Sequence, residues 1–413
     1  EWIRPQRVDL NVGAVAVISM HTSPLVQPGT GDSGGMNVYV RELSASLAQA
    51  GVDVRVYVRR WRRGLPDRVP VEPGFEVVHI DAGPVDLLKE DLPTVVGQFA
   101  DGVAADLAEH PVQALHANYW LSAVAAHDLK HRLGLPLVAT FHTLARVKAE
   151  AGDAEPLARA AAEATVIGCC DAICASNPVE VDQLVDHYRA DPDRIEMVPS
   201  GVDHAFFSPG DRSGARAAVG LDDGPTLLFV GRIQPLKGLT VAVEALAQLA
   251  DRNARLVVVG GPSGADGPAE LRRVQSLVSD LGLDDRVRFV QPQPHHMLST
   301  WYRAADVVVV PSRSESFGLV ALEAAACGVP VVAAAVGGLR TLVDDGVTGF
   351  LVDGREPADF AAAIDAILSD PQRGAAIGVE AATASRRYSW ATTAGRLRRL
   401  YADLSVRTPV ACP

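Results

Sequence analysis

The chain has 413 residues, 48% of them hydrophobic and 21% charged, with 36 Gly and 27 Pro. That length suits two or more domains, and that balance excludes a disordered or fibrous polypeptide. Its formal net charge of -12 excludes general binding to nucleic acid or an anionic membrane, because both need a concentrated positive field.

Short runs of Val, Ile and Leu alternate with amphipathic segments, the pattern of a parallel sheet covered by helices. The segment Glu1 to Leu10 shows no charged region followed by an apolar core, and no apolar run approaches the roughly 18 residues that cross a bilayer. The first predicted strand is Val12 to Met20. After it comes the loop from His21 to Gly35, whose glycines lead into a helix predicted to run to about Ala50. A helix start there offers free N–H groups and a positive dipole end to a phosphate, and Gly34 and Gly35 admit a ligand close to the backbone. The spacing Gly29, Gly31, Gly34 also matches a dinucleotide fingerprint. It sits about eight residues beyond the strand, however, and the next strand ends in Arg59 and Arg60 instead of a ribose-binding acid. The basic run Arg59 to Arg63 reads as a solvated loop.

Further strands are predicted at Val52 to Val58, Val77 to Ile80, Ala114 to Ala117, Leu137 to Phe141, Ala172 to Ala175 and Arg194 to Val198. The Pro- and Gly-punctuated stretch Pro199 to Gly210 reads as a linker. A second series follows at Thr226 to Val230, Arg255 to Val259, Val287 to Val290, Val307 to Val310, Val329 to Ala333 and Gly349 to Val352. The fold class is therefore α/β, with two doubly wound Rossmann-like domains and a cleft between them. The segment Tyr388 to Leu404 carries Trp390, Leu397, Leu400 and Tyr401 at helical spacing, which predicts a C-terminal helix crossing back to the first domain. The expected boundaries are 1–205, 206–387 and 388–413. Cys169, Cys170, Cys174, Cys327 and Cys412 are odd in number and lack the paired spacing of a zinc site or disulfide framework, so reduced thiols in a cytoplasmic protein are expected.

In the second half, Gly231 and Arg232 end a strand and Lys237 follows, which places two cations at a carboxyl edge where open α/β sheets bind ligands. Such a pair can clamp a diphosphate and stabilise the charge of a departing nucleotide. Further on, Glu315 and Glu323 flank a helix start near Phe317. Glu315 can accept from sugar hydroxyls, Glu323 from a ribose diol, and the amides of Phe317, Gly318 and Leu319 face the same ligand.

Taken together, the Gly34–Gly35 turn, Gly231–Arg232 with Lys237, and the Glu315/Glu323 pair resemble the retaining glycosyltransferases of the GT-B fold, family 4, over nearly the whole chain. Within that family the His21 to Asn37 stretch is most similar to the enzymes of mycothiol biosynthesis that move N-acetylglucosamine from its UDP sugar to an inositol phosphate. The resemblance implies donor binding by Gln27, Pro28, Gly35, Arg232, Lys237, Glu315, Phe317, Gly318, Leu319 and Glu323. It implies acceptor binding by His21, Asp32, Asn37, Lys89, Tyr119, Thr143 and Arg159, and a catalytic set of His142, Arg232, Lys237 and Glu315. His142 would bond the donor sugar and steady positive charge through its backbone carbonyl. No cofactor is implied besides the UDP sugar as co-substrate. Asp191-Pro192-Asp193 is remote from the phosphate motifs, so no catalytic metal is expected, though the family admits a non-catalytic magnesium on main-chain carbonyls near Tyr302, Arg303 and Ala305. It also admits a homodimer, with no nucleic-acid partner and no integral membrane segment. An aminocyclitol or sugar phosphate acceptor, or a nucleotide-sugar epimerase or hydrolase on the same fold, are the alternatives, and acceptor dependence separates them. The Ala160 to Cys170 segment and the residues Val26 and Val329 depart from the family pattern, which puts one wall of the acceptor site in question.

Overall fold

Strands buried on both faces are written as continuous apolar runs, and here such runs build two sheets. The structure is a computed structural model describing residues 12–29, 31, 33–153 and 155–412. The first sheet comprises β1 (Ala14–Ile18), β2 (Asp53–Arg59), β3 (Arg68–Glu72), β4 (Phe75–Ile80), β5 (Ala114–Asn118), β6 (Leu137–Thr140), β7 (Ala172–Ala175) and β8 (Ile195–Met197). Their spatial order is β3-β4-β2-β1-β5-β6-β7-β8. The second comprises β9 (Thr226–Val230), β10 (Arg255–Val259), β11 (Val287–Val290), β12 (Val307–Val310), β13 (Val331–Ala334) and β14 (Gly349–Val352), in the order β11-β10-β9-β12-β13-β14. In both sheets the order reverses beside the first strand, and ligands of open α/β sheets collect at the carboxyl ends there.

One strand escaped the sequence pattern. β3 pairs antiparallel with β4 at the sheet edge and carries Pro70. Its residues are mostly half-buried, so it lacks the apolar run that marks its neighbours, and Pro is tolerated because an edge strand has one unpaired side.

The last helix, Trp390–Ser405, packs against the helix Gly35–Gln49 of the first domain. Leu397 and Tyr401 are fully buried there, in a cluster with Val17, Tyr39, Leu43 and Val56. Burying a leucine of this kind contributes about 2 kcal/mol. The Tyr401 hydroxyl lies 2.5 Å from Nδ1 of His116 on β5, and Nε2 of that imidazole is 2.8 Å from the Thr140 hydroxyl. This return helix therefore brings its own polar partner into the core and leaves no imidazole nitrogen of His116 unsatisfied.

The thiol expectation needs correction. Cys169 and Cys412 are joined as a disulfide across a separation of 243 residues, whereas Cys170, Cys174 and Cys327 are buried free thiols. Local spacing carries no signal for a pair that the fold brings together. Among the described residues, no helix is long and apolar enough to cross a membrane.

Candidate active site

Between the sheets lies a cleft of about 540 Å³. Its second-domain wall begins where β9 ends. Gly231 has φ 153°, and a Cβ on the neighbouring Gly260 would lie 1.8 Å from the Gly231 carbonyl oxygen. Only a glycine at position 260 lets these two strand ends approach so closely. Arg232 and Lys237 then face the cleft, Lys237 from a single turn, Pro235–Lys237, closed by Gly238 at φ 70°. A Cβ on Gly238 would be 2.1 Å from the Pro311 oxygen, so this turn is pressed against the end of β12. As a result Lys237 Nζ sits 2.7 Å from Glu315 Oε2, and the Ser312 hydroxyl is 3.3 Å from the same oxygen. Phe317, Gly318 and Leu319 complete this wall, with Gly318 at φ 101° opening the helix Leu319–Ala326.

The first-domain wall is the His21 loop and the helix start at Gly35. Asn37 organises the loop: its Nδ2 donates to Thr22 Oγ1 at 2.6 Å and to the Ser23 carbonyl at 2.7 Å, and its Oδ1 accepts from Gly34 N–H at 3.0 Å. Asn37 lines the cleft, but its amide is committed to holding the loop. Gly34 abuts Arg232, where a Cβ would meet Nε at 3.0 Å, so the glycine admits a second-domain guanidinium to the helix start.

Three of the expected acceptor residues gather around the ring of a fourth, Tyr119. His21 lies 4.3 Å from Tyr119 between ring centroids, Lys89 Nζ is 5.9 Å from the Tyr119 centroid, and the Arg159 guanidinium is 4.9 Å from it. Arg159 donates to the Thr143 hydroxyl at 3.0 Å and to Tyr119 OH at 3.3 Å. It is only 1% exposed and pairs with Glu163 at 2.8 Å and Glu155 at 3.0 Å. Arg159 thus sits behind Tyr119 and Thr143 and positions them, while Lys89, Tyr119 and Thr143 line the cleft themselves.

Two imidazoles complete the centre, and both are neutral near neutral pH. Burial, then the charges of Lys89, His142, Arg232 and Arg159, hold His21 well below its ordinary value. Its Nδ1 is buried without a protein hydrogen-bond partner among the described residues. His142 is held down to about 3 by burial, then by His116. Its backbone is left-handed at φ 62°, an uncommon state for a non-glycine residue. Nε2 meets Asn118 Oδ1 at 2.9 Å, and its carbonyl accepts the Ser316 hydroxyl from the second domain. That carbonyl, expected to face developing charge, also links the two domains.

Several expected residues lie elsewhere. Gln27 Nε2 donates to the Pro292 carbonyl at 2.9 Å, and neither Gln27 nor Pro28 lines the cleft. Glu323 is 4% exposed, with its oxygens taken by His295 Nε2 at 2.6 Å and Tyr302 OH at 2.8 Å. Burial alone would lower His295, but Glu323, Glu42 and Asp203 outweigh it and raise the imidazole, making a charged pair behind the wall. Asp32 lies outside the described residues. Of the carbonyls near which the family admits magnesium, that of Ala305 accepts from Arg212 at 3.0 Å and that of Tyr302 from the Ala305 amide at 3.0 Å.

Residues 33–206 match the family described as Glycosyltransferase Family 4, and residues 211–383 the one described as Glycosyl transferases group 1. D-inositol 3-phosphate glycosyltransferase 2 of Catenulispora acidiphila is 47% identical over 402 residues, covering 94% of each chain. The D-inositol 3-phosphate glycosyltransferase of Frankia alni is 48% identical over 92% of this chain and 97% of its own. This chain belongs to glycosyltransferase family 4. Among solved structures, the sucrose-phosphate synthase of Thermosynechococcus elongatus superposes with a TM-score of 0.90 at 33% identity, over 95% of this chain and 99% of that one. Anabaena HepE, solved with UDP and glucose, shares the fold at a TM-score of 0.79 and 20% identity, over 95% of this chain and 100% of its own.

A family 4 glycosyltransferase moves a sugar from a charged leaving group to an acceptor, and the cleft has charge placed for both. Lys148 and Arg313 also line it, alongside Ser263 and Gly264. Sequence reading passed over all four. Arg313 was within reach, two residues before Glu315, and so was Lys148, on the helix Ala145–Glu150 five residues after Thr143; Ser263 and Gly264 come from a loop remote from every motif. Gly-rich closeness, a cationic edge and a helix N-terminus at one point favour a diphosphate over a neutral ligand.

Proposed function

We propose that the chain is a retaining transferase that moves N-acetylglucosamine from UDP-N-acetylglucosamine to an inositol phosphate, in a cytoplasmic pathway of the mycothiol type. The observation that carries this reading is the Lys89, Tyr119 and Thr143 cluster, braced by Arg159, opposite Arg232 and Lys237 in one cleft. One cation and two hydroxyls suit a phosphate monoester. The similarity to two relatives named for inositol 3-phosphate supports the acceptor.

In this reading residues 1–205 hold the acceptor, 206–387 the nucleotide sugar, and 388–413 return to the first domain. The donor diphosphate rests on Arg232, Lys237 and the amide end of the Gly35 helix. The bond between the anomeric carbon and the β-phosphate oxygen breaks with its electron pair on UDP. The acceptor hydroxyl bonds to the same face of that carbon and passes its proton to a phosphate oxygen, so no protein base is required. Neutral His142 lies against the donor sugar. A β-linked product by NMR would sink the retention claim.

The deciding measurement is UDP release from UDP-N-acetylglucosamine with and without inositol 3-phosphate. Release is expected to depend on the acceptor, and Lys89→Ala is expected to raise the acceptor KM about 10- to 100-fold, the loss of one charge-assisted hydrogen bond. The donor KM should stay put. A donor that binds while inositol 3-phosphate has no effect removes the acceptor reading. The second reading, a hexose phosphate acceptor, rests on the 33% identity to a sucrose-phosphate synthase, and fructose 6-phosphate in the same assay tests it.

A further inference from the structure

We propose that His127, His131, Cys169 and Cys412 form a zinc site that fastens the segment after the return helix to the first domain. His127 and His131 stand one turn apart on the helix Trp120–Leu133, and their Nε2 atoms face each other at 3.2 Å. Cys412 Sγ lies 3.2 Å from His131 Nε2 and 3.7 Å from His127 Nε2. Cys169 ends the helix Leu157–Cys169, and all four ligand atoms fall within 4.8 Å of one another. Tetrahedral zinc, with Zn–N about 2.0–2.1 Å and Zn–S about 2.3 Å, sets its ligand atoms roughly 3.3 to 3.8 Å apart. The two histidines and Cys412 therefore stand close to metal-ligand spacing.

The cysteines are bonded to each other in this structure. A disulfide has no use for two imidazoles aimed at it, whereas a cation satisfies both nitrogens at once. The approach of the segment is anchored independently of the sulfurs. Val410 N–H donates to Asp171 Oδ1 at 2.6 Å, and Lys130 pairs with Asp171 Oδ2 at 2.8 Å. None of the four residues lines the cleft, and four protein ligands leave no open position, so the ion is structural.

The redox balance is simple. A dithiol reductant supplies two electrons and two protons to the Cys169–Cys412 bond and itself becomes a disulfide. Zinc then displaces one proton from each thiol as two Zn–S bonds form. Oxidation to the disulfide reverses these steps and releases the ion.

The test uses the full chain, reduced with a phosphine, incubated with zinc and desalted. Metal is measured by atomic emission, and thiols are counted after denaturation. About one zinc per chain is expected for a closed site of this kind, lost in Cys412→Ser and in His131→Ala; His131 is exposed, so its replacement leaves the fold intact by circular dichroism. Cobalt in place of zinc should give tetrahedral d–d bands with thiolate charge transfer. Five titratable thiols with no bound zinc would overturn the proposal. So would zinc retained in both variants, or a count held at the three free thiols, which makes the pair a permanent disulfide.

Discussion

Lys237 shows how much one side chain is asked to do. Its ammonium lies 2.7 Å from Glu315, and the pair is partly open, with side chains 23% and 19% exposed. Exposure of that order makes the pair a weak contributor to stability, so its position at the cleft edge points to work on a ligand. Replacing Lys237 by Met removes a cation from the leaving group and leaves the Glu315 carboxylate facing the diphosphate. Loss of a preorganised group of this kind costs about 10²- to 10³-fold in kcat/KM. The expected outcome is that loss, with the thermal midpoint almost unchanged. Near-normal turnover would show that Arg232 and the Gly35 helix end hold the diphosphate by themselves.

The return helix is the element on which the first domain's pH response turns. His116 accepts its place in the core only as a neutral ring between Tyr401 and Thr140, and burial holds it down to about 3; His142 stands at about 3 for the same cause, with His116 adding to it. Both are bases with depressed folded values, so between pH 3 and the ordinary 6.5 the unfolded chain binds protons that the folded chain refuses. Stability is therefore fully present above about pH 6.5 and falls as the pH drops through that window, by about 1.4 kcal/mol per pH unit for each imidazole. Thermal unfolding at pH 7.5 and pH 5 should show the midpoint falling, and His116→Gln should flatten the dependence. An equal pH dependence in that variant would take His116 out of the account. Elements of this kind were legible because the helix carries Trp390, Leu397 and Tyr401 at one face and the strands are apolar runs. The edge strand β3 was not, since an alternating stretch with Pro70 leaves no run to see. At the site, Arg232, Lys237 and Glu315 were legible as charges beside predicted strand ends. Gln27 and Glu323 were also singled out, but their side chains are spent on Pro292, His295 and Tyr302. Cys169 and Cys412 lie too far apart in sequence for spacing to relate them.

The whole molecule depends on one narrow crossing. The chain leaves the first domain through Pro199 to Val202 and re-enters it at Tyr388 to Trp390, and the two passes touch as Val202 bridges Ser389. Gly201 makes that contact possible. A Cβ there would stand 2.2 Å from the Trp390 nitrogen and 2.5 Å from the Ser389 carbonyl carbon, both backbone atoms that cannot swing aside. Gly201→Ala must push the two passes apart. Overpacking of this kind costs about 1–3 kcal/mol. The larger effect falls on the cleft, because its two walls belong to the bodies these passes join, and links such as Asn177 Nδ2 to the Ser316 carbonyl at 2.5 Å depend on their register. A misplacement of about 1 Å far from the reacting atoms can cost about 10²-fold in rate. Gly201→Ala should therefore lower kcat by more than its modest loss of thermal stability suggests, with a larger radius of gyration by small-angle scattering, although Gly201 does not line the cleft. Full turnover with an unchanged radius would mean that the crossing absorbs the methyl locally and that the cleft is set by its own interdomain contacts.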